Sequence, residues 1–250
     1  MNSKLFYKAM AHFYDLVDVI YFRKYKSSPR RVVFEAINDG DRVLDLCTGT
    51  ATNGINIAKA KSSVKVAGVD QSKEMLNVAQ DKVKKARISN LRLYCMDATN
   101  MEFKNACFDK VLISLVLHEM ESELATALLS EAKRVLKDDG ELIVTEWERS
   151  RNIFKKILFF PIEMLEPSPY KTFITQDMKQ YFERNGLEIA RYEHCDYSRV
   201  LILKRIKKSN KELFERQKRM LEDFAERGAI SKEYCEQEIK ILTEKMNIQE

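Results

Sequence analysis

Short apolar runs that end in small or acidic residues recur along the first 150 residues of the chain. They are RVLDLC (42–47), VKVAGVD (64–70), LRLYCMD (91–97), DKVLISLV (109–116) and ELIVTEW (141–147). Continuous apolar character predicts strands that are buried on both faces. Helical patterns lie between several of them, most clearly over 72–87 and 122–137. Because parallel strands are joined by right-handed crossovers, this alternation predicts an α/β fold with a mostly parallel sheet.

Two further strand patterns follow a helical stretch near the end of this region. LEIARYEHC and YSRVLILKRI are separated by a link that is too short for a crossover. Such a link forces the two strands to pair in an antiparallel manner. The sheet is therefore predicted to close with an antiparallel C-terminal pair.

The composition changes at about residue 207 to a stretch dense in charges of both signs. Gly228 interrupts it, Ser231 can cap a second helix, and Phe214, Leu221 and Phe224 form an apolar stripe on the first. We therefore expect a helical hairpin over 207–250. It resembles the short SHOCT-like helical module of bacterial proteins, which implies association, including homo-oligomer formation. The alternative is a tail folded back on its own domain.

The overall composition is that of a globular protein with one main domain. The chain has 250 residues, of which 45% are hydrophobic and 32% charged. Lys8, His12, Asp15 and Asp18 interrupt the apolar N-terminal stretch, which argues against a signal peptide.

The five cysteines form no C-x-x-C pair, so a reducing cytoplasmic location without disulfides or zinc is expected. The net charge of +5 lies mostly in local runs, which are usually solvated faces.

The stretch VLDLCTGTATNG (43–54) reads as a buried strand that enters a turn of small residues and opens a helix. Gly49, Ala51 and Gly54 have G-x-A-x-x-G spacing, and Asp70 ends the next strand. Small residues allow backbone amides to approach a nucleotide, and an acid at this position accepts hydrogen bonds from ribose hydroxyls. Taken alone, this pattern also fits a dinucleotide.

One carboxylate distinguishes between the two ligands. Asp45 lies inside the first strand, four residues before Gly49. A pyrophosphate would be repelled by an anion so close, whereas the ammonium and sulfonium groups of S-adenosylmethionine would be attracted. The turn therefore favours S-adenosylmethionine.

With these motifs, residues 1–206 resemble a class I S-adenosylmethionine-dependent methyltransferase with a Rossmann-like sheet. The family pattern is roughly V-L-D-x-G-x-G-x-G, and this chain has Cys47, Gly49 and Ala51 at the three glycine positions. RVLKDDGELIVTE is similar to the family's R-V-L-K-P-G-G-x-L segment, with Asp138 and Asp139 replacing proline and glycine. The antiparallel closing pair is also a trait of this family.

The resemblance implies a set of residues that bind S-adenosylmethionine, with Asp70 on the ribose and Asp97 with Ala98 on the adenine. The full set is Asp45, Cys47, Thr48, Gly49, Thr50, Gly54, Asp70, Gln71, Met96, Asp97, Ala98 and Ser114. It also implies an N-terminal helical cover over 1–40, in which Tyr14 of the aromatic Tyr-Asp segment contributes to the active site. Alternatively, the aromatic residues of this cover simply pack on the sheet.

The acceptor should lie beyond the fourth and fifth strands, where ligands of open parallel sheets gather. His118 and Glu119 follow the fourth strand and are candidates for a general base or an acceptor anchor. The alternative for His118 is simple packing. Glu146 and Trp147 end the fifth strand and could grip an acceptor, or form a salt bridge and a core contact.

The sequence points to a small-molecule acceptor. The N/D-P-P-Y/F/W segment of adenine methyltransferases is absent after the fourth strand, which disfavours nucleic acid. The three scattered histidines predict no metal site.

A substrate lid is expected over 151–174, where the family inserts its substrate cover. Ile153, Phe154, Ile157 and Leu158 share one helical face, which suits an apolar or aromatic acceptor. The basic flanks of this segment could also contact an anionic membrane.

Within the family, the chain is most similar to the ubiquinone- and menaquinone-biosynthesis C-methyltransferases. C-methylation of a quinol-like acceptor is therefore the leading specific hypothesis. N- or O-methylation of another small molecule and a non-catalytic cofactor-binding protein are the alternatives.

Overall fold

The computed structural model of the protein describes residues 28–150, 152–206 and 210–247. The contacts between residues divide the chain into two compact units, Met1–Arg205 and Ile206–Glu250.

The first unit is built on a seven-stranded sheet in the order β3-β2-β1-β4-β5-β7-β6. Its strands are β1 (Arg42–Leu46), β2 (Lys65–Asp70), β3 (Leu91–Cys95), β4 (Phe108–Ser114), β5 (Leu136–Trp147), β6 (Leu187–Cys195) and β7 (Ser198–Arg205). Strands β1 to β5 pair in parallel, whereas β7 is antiparallel to both β5 and β6. The predicted mostly parallel sheet with an antiparallel closing pair is confirmed.

Helices flank this sheet. They are α1 (Pro29–Glu35), α2 (Thr52–Ala60), α3 (Lys73–Lys85), α4 (Ser122–Val135), α5 (Ile153–Leu165), α6 (Ser168–Thr175) and α7 (Met178–Arg184), with a 3₁₀ helix over Leu117–Glu119. Helix α3 shows why they form. The Ser72 hydroxyl accepts the Met75 N–H at 3.2 Å, and Ala79 and Val83 place an apolar stripe against the sheet.

The sheet is covered on both faces, as its continuous apolar strands predict. In β1, Leu44 belongs to the core on one face and Val43 to the core on the other. Helix α4 contributes Leu128 and Leu129 to the first core, and α2 contributes Ile57 to the second. Burying each such side chain stabilises the fold by about 1.5–3 kcal/mol. The buried central strands fix the positions of the loops at their ends.

The boundary between α4 and β5 differs from the sequence prediction. A helix was expected over 122–137, but α4 ends at Val135 and β5 begins directly at Leu136. Leu136 is fully buried in the core and pairs with Phe108 of β4, so tertiary packing ends the helix early. The register of the β4–β5 ladder then shifts between Phe108 and Lys110.

The second unit contains two helices, α8 (Asn210–Glu226) and α9 (Lys232–Asn247). Gly228 takes the left-handed conformation with φ +71°, which ends α8. The Ser231 hydroxyl accepts the Tyr234 N–H at 3.1 Å and caps α9. Cys235 is buried within this unit. The association role that we expect of this hairpin stays a prediction.

Gly140 generates a prediction about stability, because it sits where the β4–β5 register shifts. A methyl group there would lie 2.9 Å from the backbone oxygen of Asp109 and 2.7 Å from Leu136 Cδ1. Gly140→Ala should lower the free energy of unfolding by about 1–3 kcal/mol, as overpacking does. Asp139→Ala at the exposed neighbouring position should change it by less than about 0.5 kcal/mol. Urea titrations followed by circular dichroism check both values, and equal effects would contradict this account.

Candidate active site

A cavity of about 740 Å³ opens at the carboxyl ends of the parallel strands, where open α/β sheets bind ligands. Ten of the twelve residues predicted to bind the cofactor line it. They are Asp45, Cys47, Thr48, Gly49, Thr50, Asp70, Gln71, Asp97, Ala98 and Ser114. His118 and Glu119 line the same cavity. The topology thus brings both predicted ends of the site together.

The turn after β1 has an alternating backbone conformation. Cys47, Gly49 and Ala51 have φ values of 52°, 56° and 58°, all in the left-handed region. These are the three positions at which the family pattern has glycine, and the conformation explains that preference. The Thr48 N–H donates to the Val69 carbonyl at 2.9 Å, which holds the turn against β2.

Asp45 is a buried carboxylate beneath this turn, only 2% exposed. It accepts hydrogen bonds from the Thr48 hydroxyl at 2.5 Å and from the Gly54 backbone N–H. Burial and, to a lesser extent, the nearby Asp70 raise the pKa of Asp45 to about 6 despite these donors. A cationic ligand beside this carboxylate would therefore gain more electrostatic binding energy than it would beside a solvated carboxylate.

Asp70 ends β2 with both carboxylate oxygens fixed by backbone donors. Gly49 N–H donates to Oδ2 at 2.8 Å, and Ser72 N–H donates to Oδ1 at 2.9 Å. Each oxygen keeps a lone pair for a ligand hydroxyl. The positions of this carboxylate and of the buried anion Asp45 fit a ligand with a ribose and a cationic group, as S-adenosylmethionine has.

Asp97 and Ala98 follow β3 and line the same part of the cavity. The Thr99 N–H and hydroxyl donate to Asp97 Oδ1 at 2.8 and 2.7 Å, and they lower the pKa of this carboxyl. Asp97 is therefore held as an ionised hydrogen-bond acceptor.

Two predicted residues do not line the cavity, and a third lies outside the described residues. Gly54 is buried in the first turn of α2, where its N–H holds Asp45. Met96 is half-buried and packs against the core. Tyr14 lies outside the described residues, as does most of the predicted cover over 1–40.

Cys47 has no nucleophilic character in this position. Burial, and then the charges of Asp70 and Asp45, raise the pKa of its thiol to about 12. Because the thiolate is the reactive form, Cys47 is an inert small residue in the turn.

The acceptor end of the cavity is organised around His118, which is 1% exposed. Its Nδ1 lies 2.5 Å from Glu146 Oε2, and its Nε2 lies 3.1 Å from Glu166 Oε2. Burial lowers the pKa of His118, but the two carboxylates outweigh burial and raise it to about 10. The ring is thus an imidazolium at neutral pH, without a lone pair for a substrate proton. This geometry favours a positioning role over the predicted base.

Glu146 is the penultimate residue of β5 and is completely buried. Its Oε1 accepts the N–H groups of Val116 and Leu117 at 3.1 and 2.8 Å, and its Oε2 faces His118. These donors stabilise the 3₁₀ turn that follows β4. Glu146 therefore stabilises the residues around the cavity without lining it, whereas its neighbour Trp147 lines the cavity.

Glu166 follows α5 directly and contacts residues at the ends of two strands, Trp147 of β5 and His118 after β4. Its Oε1 accepts the Trp147 indole N–H at 2.9 Å, while its Oε2 binds His118. Tyr170 follows in α6 and places its ring edge-on to His118, with centroids 5.8 Å apart. Sequence reasoning did not single out Glu166, because its partners are remote in the chain.

His118, Glu119 and Glu166 each offer a metal-ligand atom, and these atoms lie within 4.8 Å of one another. The short contact between His118 and Glu166 is that of an ion pair. A divalent cation would have to displace the Nε2 proton to bind here. We therefore describe this cluster as an ion-pair network.

Other cavity residues were not predicted from the sequence. Pro29, Arg30 and Val33 of α1 line the cavity, as does Asn53, whose amide donates to Ser114 Oγ at 3.0 Å. Asn53 lies within the turn motif over 43–54, so its position in the sequence could have indicated that it lines the cavity. The residues of α1 lie within the predicted N-terminal cover over 1–40, but the sequence did not single out any of them individually.

Comparison with known proteins decides the family. A family model described as a methyltransferase domain matches residues 37–213. The chain belongs to this methyltransferase family. This membership confirms the predicted methyltransferase activity, with S-adenosylmethionine as the cofactor.

Individual similar proteins agree with this family. The chain is 30% identical to the demethylmenaquinone methyltransferase of Geobacillus sp. (strain WCH70), covering 74% of the chain and 77% of the relative. It is 36% identical to the enzyme of that name from Staphylococcus saprophyticus, covering 60% of the chain and 64% of the relative. The fold is shared with a SAM dependent methyltransferase from Aquifex aeolicus, with a TM-score of 0.58 and 20% identity over 75% of this chain and 92% of that chain.

The His118 network generates a prediction about pH. A histidine whose pKa rises on folding stabilises the protein fully below its unfolded value near 6.5, and this contribution is lost as the pH rises through about 10. Between these limits, wild type should lose up to about 1.4 kcal/mol of unfolding free energy per pH unit relative to His118→Asn.

Urea titrations from pH 6 to pH 10 measure this difference, and titrating groups that do not contact His118 cancel. Glu166→Gln, which removes one of the two carboxylates that raise the pKa of His118, should level off at a lower pH and lose an intermediate total free energy. Parallel profiles for wild type and His118→Asn would show that the ring is not an imidazolium in the folded protein.

Proposed function

We propose that this methyltransferase methylates a ring carbon of a small reduced-quinone-like acceptor that carries an apolar tail. The observation that carries this proposal is that one continuous cavity joins the cofactor residues around Asp70 to an apolar wall around Trp147. The similarity to demethylmenaquinone methyltransferases supports the same acceptor class.

Each residue predicted to bind the cofactor would contact a different part of it. Asp70 would accept hydrogen bonds from the ribose hydroxyls, and Asp45 would compensate the positive charge of the amino acid end. Asp97 and Ala98 would contact the adenine. When bound, S-adenosylmethionine supplies an electrophilic methyl group on its sulfonium.

The wall at the acceptor end is largely apolar. It contains Leu115, Val116, Met120, Leu124, Leu128 and Trp147. An aromatic ring would be held there by burial worth about 25 cal/mol per Å² and by contact with the indole. This wall supports an apolar or aromatic acceptor.

Glu119 is the group that we propose to accept a proton from the acceptor's ring hydroxyl. It lines the cavity, and its side chain is 41% exposed. His118 Nε2 lies 3.8 Å from Glu119 Oε1, so the imidazolium favours the ionised carboxylate. His118 would thus act as a positioning residue. Removing the hydroxyl proton raises the electron density on the ring carbon that takes the methyl group. The sulfur–methyl bond would break as the carbon–carbon bond forms, its electron pair would stay on the sulfur, and the hydrogen of the methylated carbon would leave as a proton.

The segment 151–174 is proposed as the lid of this acceptor end. It contains α5 and most of α6, and it carries Glu166 and Tyr170 to His118. Closing this segment would exclude water and hold the acceptor against the methyl donor. The cover over 1–40 is proposed for the opposite side, where α1 lines the cavity.

Cofactor binding provides the first test. Asp45→Asn should weaken the binding of S-adenosylmethionine by at least about tenfold, which corresponds to about 1.4 kcal/mol. The substitution should not lower the free energy of unfolding at neutral pH. It removes a carboxylate that is unfavourable to ionise because it is buried. In wild type, this ionisation destabilises the fold as the pH rises through about 6, and the variant should lack that loss.

Calorimetric titration measures the affinities, with the exposed Asp81→Asn as the matched control and NAD as the competing ligand. Unchanged affinity in Asp45→Asn would contradict the role of this anion. Preferential binding of NAD would contradict the cofactor assignment itself.

Turnover provides the second test, with a short-tailed demethylmenaquinol as the acceptor. Glu119→Gln should lower kcat by about 10²- to 10⁴-fold, the usual contribution of a general base, with cofactor affinity unchanged. Glu119→Asp should recover part of this loss, and Glu121→Gln, an exposed neighbour, should leave kcat unaltered.

Methylation is followed by mass spectrometry, which also locates the methyl group. A product methylated on oxygen would replace the proposed carbon acceptor. Equal kcat in wild type and Glu119→Gln would remove Glu119 from the mechanism.

A further inference from the structure

Helix α5 exposes an unusual amount of apolar surface. Its Ile153, Phe154, Ile157, Leu158, Phe160 and Met164 are between 56% and 78% exposed. Half of the large exposed apolar side chains in the described part of the chain lie on this one helix. We call these six residues the outer face of α5. Exposed apolar patches of this kind mark interaction surfaces.

A different side of α5 attaches it to the first unit. Phe159 is 4% exposed and packs on Trp147, with ring centroids 4.9 Å apart. It also stacks on Tyr197, with centroids 5.8 Å apart. The helix is thus attached to the first unit through its inner side. The exposed side chains of the outer face contribute little to the free energy of folding.

Positive charge accompanies this outer face. The stretch RSRNIFKKILFF (149–160) contains four basic residues and no acidic one. A groove of about 400 Å³ beside it has an apolar floor that includes Ile157 and Phe160, and Arg149 and Lys156 line it. Glu163 also lines the groove but is paired with Arg149 at 3.2 Å. The surface is therefore complementary to a ligand that is both apolar and anionic.

We infer that the outer face of α5 docks on the surface of an anionic lipid bilayer. An amphipathic helix with basic residues beside its apolar face binds at the boundary between headgroups and acyl chains. Each basic residue near an anionic membrane contributes about 1 kcal/mol. A second copy of this chain would instead bring two stretches of like, positive charge together. Across the described residues, no helix is long and apolar enough to cross the bilayer.

The docking helix is continuous with the acceptor end of the cavity. It begins shortly after Trp147 and ends just before Glu166, and these two residues line the cavity. A bilayer that contacts α5 would therefore lie beside the entrance for an acceptor with a lipid tail. This link to the acceptor rests on the proposed function, whereas the docking itself rests on the helix.

Sedimentation with vesicles tests the docking, with the full chain and with phosphatidylcholine vesicles made with or without phosphatidylglycerol. Wild type should bind the vesicles that contain phosphatidylglycerol, and added salt should weaken this binding. The double variant Phe154→Ser/Ile157→Ser should lower the affinity by at least about tenfold. Lys156→Glu should also lower it. Met220→Ser, an exposed apolar position in the second unit, should bind as wild type does.

The double variant should keep the affinity for S-adenosylmethionine, because neither Phe154 nor Ile157 lines the cofactor cavity. Turnover of a long-tailed acceptor in vesicles should fall. Vesicle binding without methylation of any quinol would refute the proposed function and leave the docking intact. Equal vesicle binding by wild type and the double variant, or none by wild type, would overturn the docking. So would a wild-type dimer in sedimentation that the double variant abolishes.

Discussion

The acceptor end of this protein depends on one buried carboxylate. Glu146 is fully buried, and it is compensated by two backbone N–H groups and by the His118 imidazolium. Without these partners, a buried anion would cost several kcal/mol. The pairing therefore joins the end of β5 to the turn after β4. Through Glu166, it also fixes the segment that follows α5. The geometry of the site follows from this charge balance.

The cofactor end uses charge in the opposite way. Asp45 is nearly as buried as Glu146, but the described residues give it only neutral donors, and its pKa rises to about 6. Its missing compensation supports the proposal that Asp45 faces the positive charge of the cofactor. A site of this kind loses stability in the free protein and recovers it on binding. Under this proposal, the protein supplies the cation at the acceptor end and the ligand supplies it at the cofactor end.

Much of the cofactor end could be predicted, because its residues follow one another along single strands and turns. Gly49 and Asp70 carry their signal in local spacing, and parallel strands necessarily bring their ends together. The acceptor end could not be predicted in the same way. The role of His118 depends on Glu146 and Glu166, which are remote in sequence, and only their contacts make the ring an imidazolium. The early end of α4 at Val135 has a similar origin, since core packing overrides helical periodicity.

The sequence by itself determined the parallel sheet, its antiparallel closing pair and the turn suited to S-adenosylmethionine. These features depend on periodicity, link length and the spacing of small residues, all of which are local. The tertiary structure decided which charges are compensated and which apolar faces remain exposed. Phe159 is buried and Phe160 is exposed, although both are phenylalanine in one helix. Burial and ion pairing depend on what packs against a residue, and only the folded chain brings those neighbours together.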